Sequence, residues 1–487
     1  MNNTIYDQVI IGAGFAGLCM GIKLKEAGMH NFVILERNDH IGGTWYDNAY
    51  PGAACDVESH LYSFSFEPKP DWSRQFGPQA EILQYIDHCA NKYELNPHIQ
   101  LSTSVAKAIF DEASGLWTVT TEAGQTLQAK SVISCSGGLS QPSYPDIKGL
   151  DTFKGKLFHS ARWDKNYDIS GKQVAVIGTG ASAIQIVPAI ASTVKELVLF
   201  QRTPPWILPK PDKEISPLRK WLYTNIPFTR SLYRTRLYWQ HELMAIGFVV
   251  NPKVMKFAER LSLSYLDRKV KDETLKKKLT PNYRIGCKRI LLTNNYYPAL
   301  QRPNVSVITE PIKELNEIGV CTNDGKQYEV DAVILATGFQ AAENVSRYEV
   351  RGLKGQDLNE AWHEGAEAYL GTTVSGFPNM YLIVGPNTGL GHSSMILMIE
   401  AQVNYVMGSL KAMKKKDAKY LNLKNEEQQR FNKDIQEKLT KTIWQTGGCV
   451  SWYQMKNGKN VTLWPGFTFS FMQQTKNFDI DKYQVVK

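Results

Sequence analysis

Short apolar runs that end abruptly at a glycine or a charge set the rhythm of this chain. Val9-Ile10-Ile11 runs into Gly12, and Phe32-Val33-Ile34-Leu35 stops at Glu36. The same pairing recurs downstream: Val174-Ala175-Val176-Ile177 runs into Gly178, and Leu197-Val198-Leu199-Phe200 stops at Gln201-Arg202-Thr203. Fully apolar runs this short, bounded by turn residues, predict buried strands. A helical stretch separates the members of each pair, so each reads as strand, turn, helix, strand. "DAVILATGF" (331–339) adds a buried strand with a small-residue turn at Ala336-Thr337-Gly338-Phe339, and "YLIVGPNTGLGHSS" (381–394) a strand into a glycine-rich turn.

The glycines within these units are spaced for dinucleotides. Gly12-x-Gly14-x-x-Gly17 makes the tight turn, lets backbone approach a pyrophosphate, and lets helix pack close on strand, in that order. The phosphates then lie at a helix N-terminus, and Glu36 is placed to accept from ribose hydroxyls. Gly178-Thr179-Gly180-Ala181-Ser182-Ala183 repeats the device with alanine at the third position. By distance from the turn Arg202 matches Glu36; by strand end Gln201 does. Either way the acid is replaced beside an arginine, which with Thr203 suits a 2′-phosphate. The expected fold class is therefore α/β, two Rossmann-like dinucleotide-binding domains, one for FAD and one for NADPH, with hydride passing between them.

"PPWILPKP" (204–211) breaks the second unit. The residues after it, including "RSLYRTRLYWQHELMAIGFVV" (230–250), have helical spacing and many aromatics, and are expected to form an insertion whose apolar face is explained by packing. The organisation expected is an FAD domain over 1–147, an NADPH domain over 148–209, a helical insertion over 210–283, the NADPH domain again over 284–340, and a return to the FAD domain over 341–487.

Composition narrows the setting. Net charge is +9, with lysine concentrated in 410–424 and 267–278; both read as solvated helix faces. Without aromatic–basic interleaving, no nucleic-acid partner is expected, and membrane contact is not expected either. Seven cysteines show no close spacing of a zinc site or redox pair, which suits a reducing cytoplasm. The first apolar run breaks at Gly12 with no basic segment before it, so no signal peptide is expected, and no apolar stretch approaches the ~20 residues of a membrane span. Flavin disulfide reductases share the two-nucleotide layout but carry a redox cysteine pair after the first domain. Here the electrons need another acceptor, and oxygen is the candidate.

Two longer motifs carry a family resemblance. "FKGKLFHSARWD" sets Phe153, Gly155, His159, Trp163 and Asp164 in the spacing F-x-G-x-x-x-H-x-x-x-W-D, and "GGTWYDNAYPGAACD" (42–56) matches G-G-x-W-x-x-x-x-Y-P-G-x-x-x-D. Both resemble signatures of Baeyer–Villiger monooxygenases; the related flavin-containing monooxygenases usually have another aromatic where Trp163 stands. "GCKR" (286–289), "NNYYPAL" (294–300) and "GCVSWY" (448–453) extend the likeness over most of the chain.

The resemblance implies that NADPH reduces FAD, that oxygen adds at the flavin C4a carbon, and that the peroxide attacks a ketone to leave an ester or lactone. Sulfur or nitrogen oxidation, and a nucleotide sensor without turnover, are the competing readings. Arg289 matches the active-site arginine and Asp56 the acid that orients it; Lys288 matches the residue that joins Arg202 at the 2′-phosphate. Thr44, Trp45, Tyr46, Tyr62, Val105 and Met395 match positions lining FAD, and Trp452 a mobile loop over NADP. His159 is expected to hold main chain at the junction of the nucleotide domains. The implied partners are a ketone or thioether and molecular oxygen, in a monomer or small homo-oligomer.

Overall fold

The computed structural model describes residues 5–340, 347–449 and 451–487. The expected return of the chain at residue 341 lies outside them. β1 (Ile5–Ile11) enters the first glycine turn, α1 (Phe15–Glu26) leaves it, and β2 (Phe32–Leu35) returns parallel to β1 with Ile11 opposite Leu35. α1 buries Phe15 to Ile22 and Leu24 and has almost no polar face, as a helix covered on several sides requires. α2 (Thr44–Asp47), α3 (Gln79–Lys92), β3 (Ile99–Gln100) and the antiparallel run β4 (Val105–Asp111), β5 (Leu116–Thr121) and β6 (Thr126–Ser134) follow.

The second unit opens with β7 (Lys156–His159), β8 (Gln173–Ile177), α4 (Ala183–Ile190) and β9 (Glu196–Phe200), with Ile177 opposite Phe200. β10 (Ile207–Leu208) pairs with β11 (Leu291–Leu292), and four α-helices lie between them in the chain. These are α5 (Pro217–Asn225), α6 (Pro227–Ala245), α7 (Met255–Lys269) and α8 (Glu273–Leu279). α9 (Tyr296–Leu300), β12 (Val305–Ile308), the antiparallel β13 (Ile312–Asn316), β14 (Gly319–Thr322) and β15 (Gln327–Glu329), and then β16 (Ala332–Leu335) complete the unit.

β17 (Glu349–Arg351), α10 (Leu358–Ala361) and β18 (Met380–Leu382) rejoin the first sheet. α11 (Met395–Lys416) packs on α1. Ser394 Oγ accepts from Ile396 N at its start, and Lys414, Lys415 and Lys416 close its last turn, where cations offset the carbonyl end of the helix. β19 (Tyr420–Leu423), α12 (Asn425–Leu439), α13 (Ile443–Thr446), α14 (Thr468–Gln474) and β20 (Tyr483–Val486) finish the chain.

The first sheet runs β17-β4-β5-β6-β1-β2-β3, with β18 also on β6; the second runs β12-β9-β8-β16-β7, parallel throughout. In each, the glycine turn follows the strand at which the order changes direction, the place where open sheets bind ligands beyond the carboxyl ends of their strands.

Two expectations need amendment. Cys287 and Cys449 form a disulfide across 162 residues of sequence; their separation hid the pair, because only the fold brings the two loops together. And packing explains just one side of α6. Leu237, His241 and Ala245 are buried, whereas Phe228, Leu232, Trp239 and Leu243 are exposed.

Candidate active site

The first glycine turn is held by its own acid. Gly12 (φ +105°) donates its N–H to Leu35 O at 2.8 Å. A methyl group on Gly12 would stand 2.7 Å from the Cys135 carbonyl oxygen, and one on Gly17 would stand 1.9 Å from the Gly12 carbonyl oxygen. The neighbouring strand end at Gly12 and the approach of α1 to the turn at Gly17 therefore demand glycine at each. Glu36, buried, accepts from Ala13 N at 2.7 Å and Asn38 N at 3.0 Å.

A cavity of about 640 Å³ opens from this turn, lined by Gly12, Gly14, Glu36, Thr44, Trp45 and Tyr62, with Val105, Met395, Arg289 and Trp452 also on its wall. That is the size and mix of surfaces of a ligand site. Trp45 Nε1 donates to Tyr62 Oη at 3.1 Å. Tyr46 turns elsewhere: its hydroxyl donates to Asp39, its ring stacks on His40, and it does not line the cavity.

The second turn copies the first. Gly178 (φ +114°) donates to Phe200 O at 3.1 Å, and a methyl there would stand 2.3 Å from the Ala336 carbonyl oxygen. The strand register resolves the choice left open above: Gln201, not Arg202, occupies the place of Glu36. Gln201 is buried and donates to Lys278 O at 2.7 Å, while Arg202 is the next residue and exposed. Thr179 Oγ1 donates to Thr203 O at 2.8 Å, Gly180 faces open space, and Ala181 and Ser182 lead into α4. Lys288 lies with its ammonium 5.2 Å over the Tyr283 ring, and burial and the charge of Arg202 both lower its pKa.

Arg289 and Asp56 form a two-point ion pair: Nε to Oδ2 at 2.6 Å and Nη2 to Oδ1 at 2.7 Å. The Asp56 charge raises the guanidinium pKa further; burial works against ionisation of Asp56, yet Arg289 brings that carboxyl below its usual value. The guanidinium reaches the cavity wall and the carboxylate stands behind it.

The chain resembles proteins of known activity along its length. The family profile for pyridine nucleotide-disulphide oxidoreductases matches residues 9–229. A Baeyer–Villiger monooxygenase of Pseudomonas aeruginosa is 48% identical over 477 residues, covering 98% of this chain and 90% of that one. This chain belongs to the Baeyer–Villiger monooxygenases. Cyclohexanone monooxygenase from Rhodococcus sp. Phi1, solved with NADP⁺, superposes with a TM-score of 0.90 at 28% identity over 100% of both chains. OTEMO, solved with FAD and NADP, gives 0.88 at 29% identity over 97% of each. The protein is thus an NADPH-dependent flavin monooxygenase with FAD as its cofactor.

In this monooxygenase the fingerprint residues are packed against one another and their neighbours. His159 is fully buried, its Nδ1 accepts from Ala161 N at 3.1 Å, and burial drives its pKa down to about 4. A methyl on Gly155 would strike the Phe153 ring at 2.3 Å, Trp163 packs edge-on to Phe158 at 5.0 Å, and Asp164 pairs with Lys156 at 2.6 Å.

Several residues of the monooxygenase site escaped the sequence reading. Tyr453 has its pKa pushed up to about 12 by burial and lies against Arg289 and Asp56. Lys210 donates to Cys55 O at 3.0 Å, one residue from Asp56. Tyr50 Oη donates to Gln185 of α4 at 2.9 Å, and Gln185 Nε2 to Ala54 O at 2.9 Å, so the YPG stretch is tied to the second nucleotide unit. Arg347 donates to Ser136 O and Gly137 O at the cavity wall. His241 of α6 bonds Glu58 at 2.7 Å and the His392 carbonyl at 2.5 Å. The Cys287–Cys449 disulfide joins the loop of Lys288 and Arg289 to that of Trp452 and Tyr453. Tyr50, Lys210, His241, His392, Tyr453 and both cysteines lie in stretches whose sequence drew notice, but nothing in those stretches points to their partners.

Proposed function

We propose that the 640 Å³ cavity is where FAD and ketone meet, and that Arg289 is the residue that stabilises negative charge on the reacting oxygens. The observation that carries this reading is the pairing of Arg289 with Asp56 on the cavity wall. The residues suit the cofactor: glycines that a methyl would displace, a buried acid at the strand end, and aromatic walls at Trp45 and Tyr62.

When bound and reduced by NADPH, FAD supplies the activation of dioxygen. Overall, one oxygen atom enters the bond beside the ketone carbonyl, the other leaves as water, and NADPH provides the electron pair. Gly12 and Gly14 admit the cofactor pyrophosphate, and Glu36 holds the ribose. Gly178, Thr179 and Gly180 receive the NADPH pyrophosphate, while Arg202 and Lys288 hold its 2′-phosphate. Asp56 fixes the guanidinium plane and keeps Arg289 charged; a fixed cation at a developing oxyanion is worth about 3 kcal/mol. Asp56 adds a negative charge of its own, and its placement behind Arg289 leaves the cation foremost toward substrate. A cytoplasmic location belongs to the same reading; Cys19, Cys55, Cys89 and Cys135 are buried free thiols, whereas Cys287 and Cys449 are joined.

The test is product identification. Yellow holoenzyme with NADPH and oxygen is given a ketone panel and a thioether, and Arg289→Ala is run beside it. The expected result is ester from wild type, with flavin reduction retained and ester formation lost in the variant. Sulfoxide as the sole product would replace the ketone assignment, and normal ester turnover by Arg289→Ala would remove that residue from the chemistry.

A further inference from the structure

The outer surface of the inserted helices is apolar and basic, and nothing in the oxygenation chemistry uses it. Residues 218–263 make up about a tenth of the chain, yet they hold most of its large exposed apolar side chains among the described residues. On α6, Phe228 (73% exposed), Leu232, Trp239 and Leu243 recur at spacings of four, seven and four and form a single stripe; the buried Leu237, His241 and Ala245 lie on the other side. Val254, Phe257 and Leu261 repeat the pattern at the start of α7, and Leu218 and Trp221 do so on α5. Trp239 meets Phe469 of α14 with ring centroids 6.4 Å apart, which extends the patch onto the C-terminal segment. Contiguous exposed apolar surface of this kind marks a contact site.

Charge identifies the contact. Between residues 216 and 258 the only acidic side chain is Glu242, which is buried and accepts from Thr468 N at 3.1 Å; of the later acids on α7, Glu259 is paired with Arg284 and Asp267 lies at the far end of the helix with Lys276. Arg236, Lys253 and Lys256 are exposed beside the apolar stripes. An isologous contact with a second copy would set these cations against their own kind. An anionic bilayer surface satisfies both features, since apolar rings enter the headgroup boundary while the basic side chains meet lipid phosphates. We infer that α5, α6 and α7 dock this enzyme on anionic membranes, lying on the bilayer rather than crossing it. No helix among the described residues is long and apolar enough to cross. The inner face of α6 bonds Glu58 and the His392 carbonyl, and His392 lies between the cavity residues Leu390 and Met395. The helices that dock are thus tied to residues beside the cavity.

The test is vesicle flotation of the FAD-loaded full chain, with phosphatidylcholine vesicles compared against mixed phosphatidylcholine–phosphatidylglycerol vesicles. Two variants accompany it: Phe228→Ser/Trp239→Ser/Phe257→Ser and Arg236→Glu/Lys253→Glu/Lys256→Glu. Wild type is expected to float with the anionic vesicles and to be released by raised salt. Each variant is expected to lose binding about tenfold or more, with flavin content and turnover of a water-soluble ketone retained. Absence of flotation, equal flotation of either folded variant, or a wild-type dimer that the serine variant converts to monomer without any lipid dependence would each overturn the inference. If the serine variant loses its flavin, the charge-reversed variant decides.

Discussion

Lys288 lies within electrostatic reach of Arg202, and partial burial together with that neighbouring guanidinium lowers its pKa. Two cations drawn together beside a nucleotide-type turn destabilise each other until a dianion arrives. The proposed binding of the NADPH 2′-phosphate here would remove that repulsion and add charge-assisted hydrogen bonds of about 1.5–3 kcal/mol each. Arg202→Ala and Lys288→Ala are accordingly expected to raise the KM for NADPH by about tenfold or more, with NADH nearly unaffected. Steady-state kinetics with both nucleotides check this; an unchanged preference would move the 2′-phosphate elsewhere.

Asp56 is proposed to act through Arg289, with which it forms a two-point ion pair. Asp56→Asn keeps the volume and loses the charge that raises the guanidinium pKa and the matched geometry of the two bonds. The rate of flavin reduction by NADPH is expected to hold within a few-fold, while ester formation falls about 10²-fold and uncoupled NADPH oxidation rises. Stopped-flow reduction beside product yield separates the two steps. Equal losses in both would indicate a folding role instead.

How much of this was legible in sequence depended on whether the signal was local. The nucleotide turns were, because a tight turn at the end of a buried strand needs glycine wherever it occurs, and both turns have the same third-strand carbonyl beneath them, Cys135 in one and Ala336 in the other. The Arg289–Asp56 pair was reachable only through family resemblance, since 233 residues separate the partners. Tyr50–Gln185, His241–Glu58 and Cys287–Cys449 were not legible, because each joins segments whose local pattern says nothing of the other. The outer stripe of α6 was misjudged for a related reason. Periodicity reports that a face is apolar, not whether protein covers it.

The two glycines of the second turn should fail differently. Gly178 has φ +114° and no room for a methyl group, whereas Gly180 has nothing within 4 Å of the place a Cβ would take. Gly178→Ala is expected to destabilise the protein by about 1–3 kcal/mol. Gly180→Ala should leave stability within about 0.5 kcal/mol and weaken NADPH, because the methyl occupies the approach proposed for the pyrophosphate. Thermal melts and NADPH KM values read the two effects separately. An unaltered KM in Gly180→Ala would mean that the pyrophosphate does not pass there.

His241 has an acceptor at each ring nitrogen, the His392 carbonyl at Nδ1 and the Glu58 carboxylate at Nε2. Both bonds form together only when the ring carries two protons and a positive charge. Burial opposes that charge, but the bond and charge of Glu58 outweigh it, aided by the His392 carbonyl and by Asp56, and the His241 pKa is raised above 6.5. Glu242 and His392 are the other titratable groups that sense it. A group whose pKa is raised by folding contributes stability in full below its unfolded value and loses it as pH climbs through the folded one. His241→Gln, which strands Glu58 beside a neutral amide, is therefore expected to cost about 3 kcal/mol near pH 6, and the gap to wild type should shrink as pH climbs through the raised folded value. Melting curves of both proteins from about pH 6 upward provide the check. A gap that stays constant, or grows with pH, would show that the ring is held neutral and that α6 is anchored by packing instead.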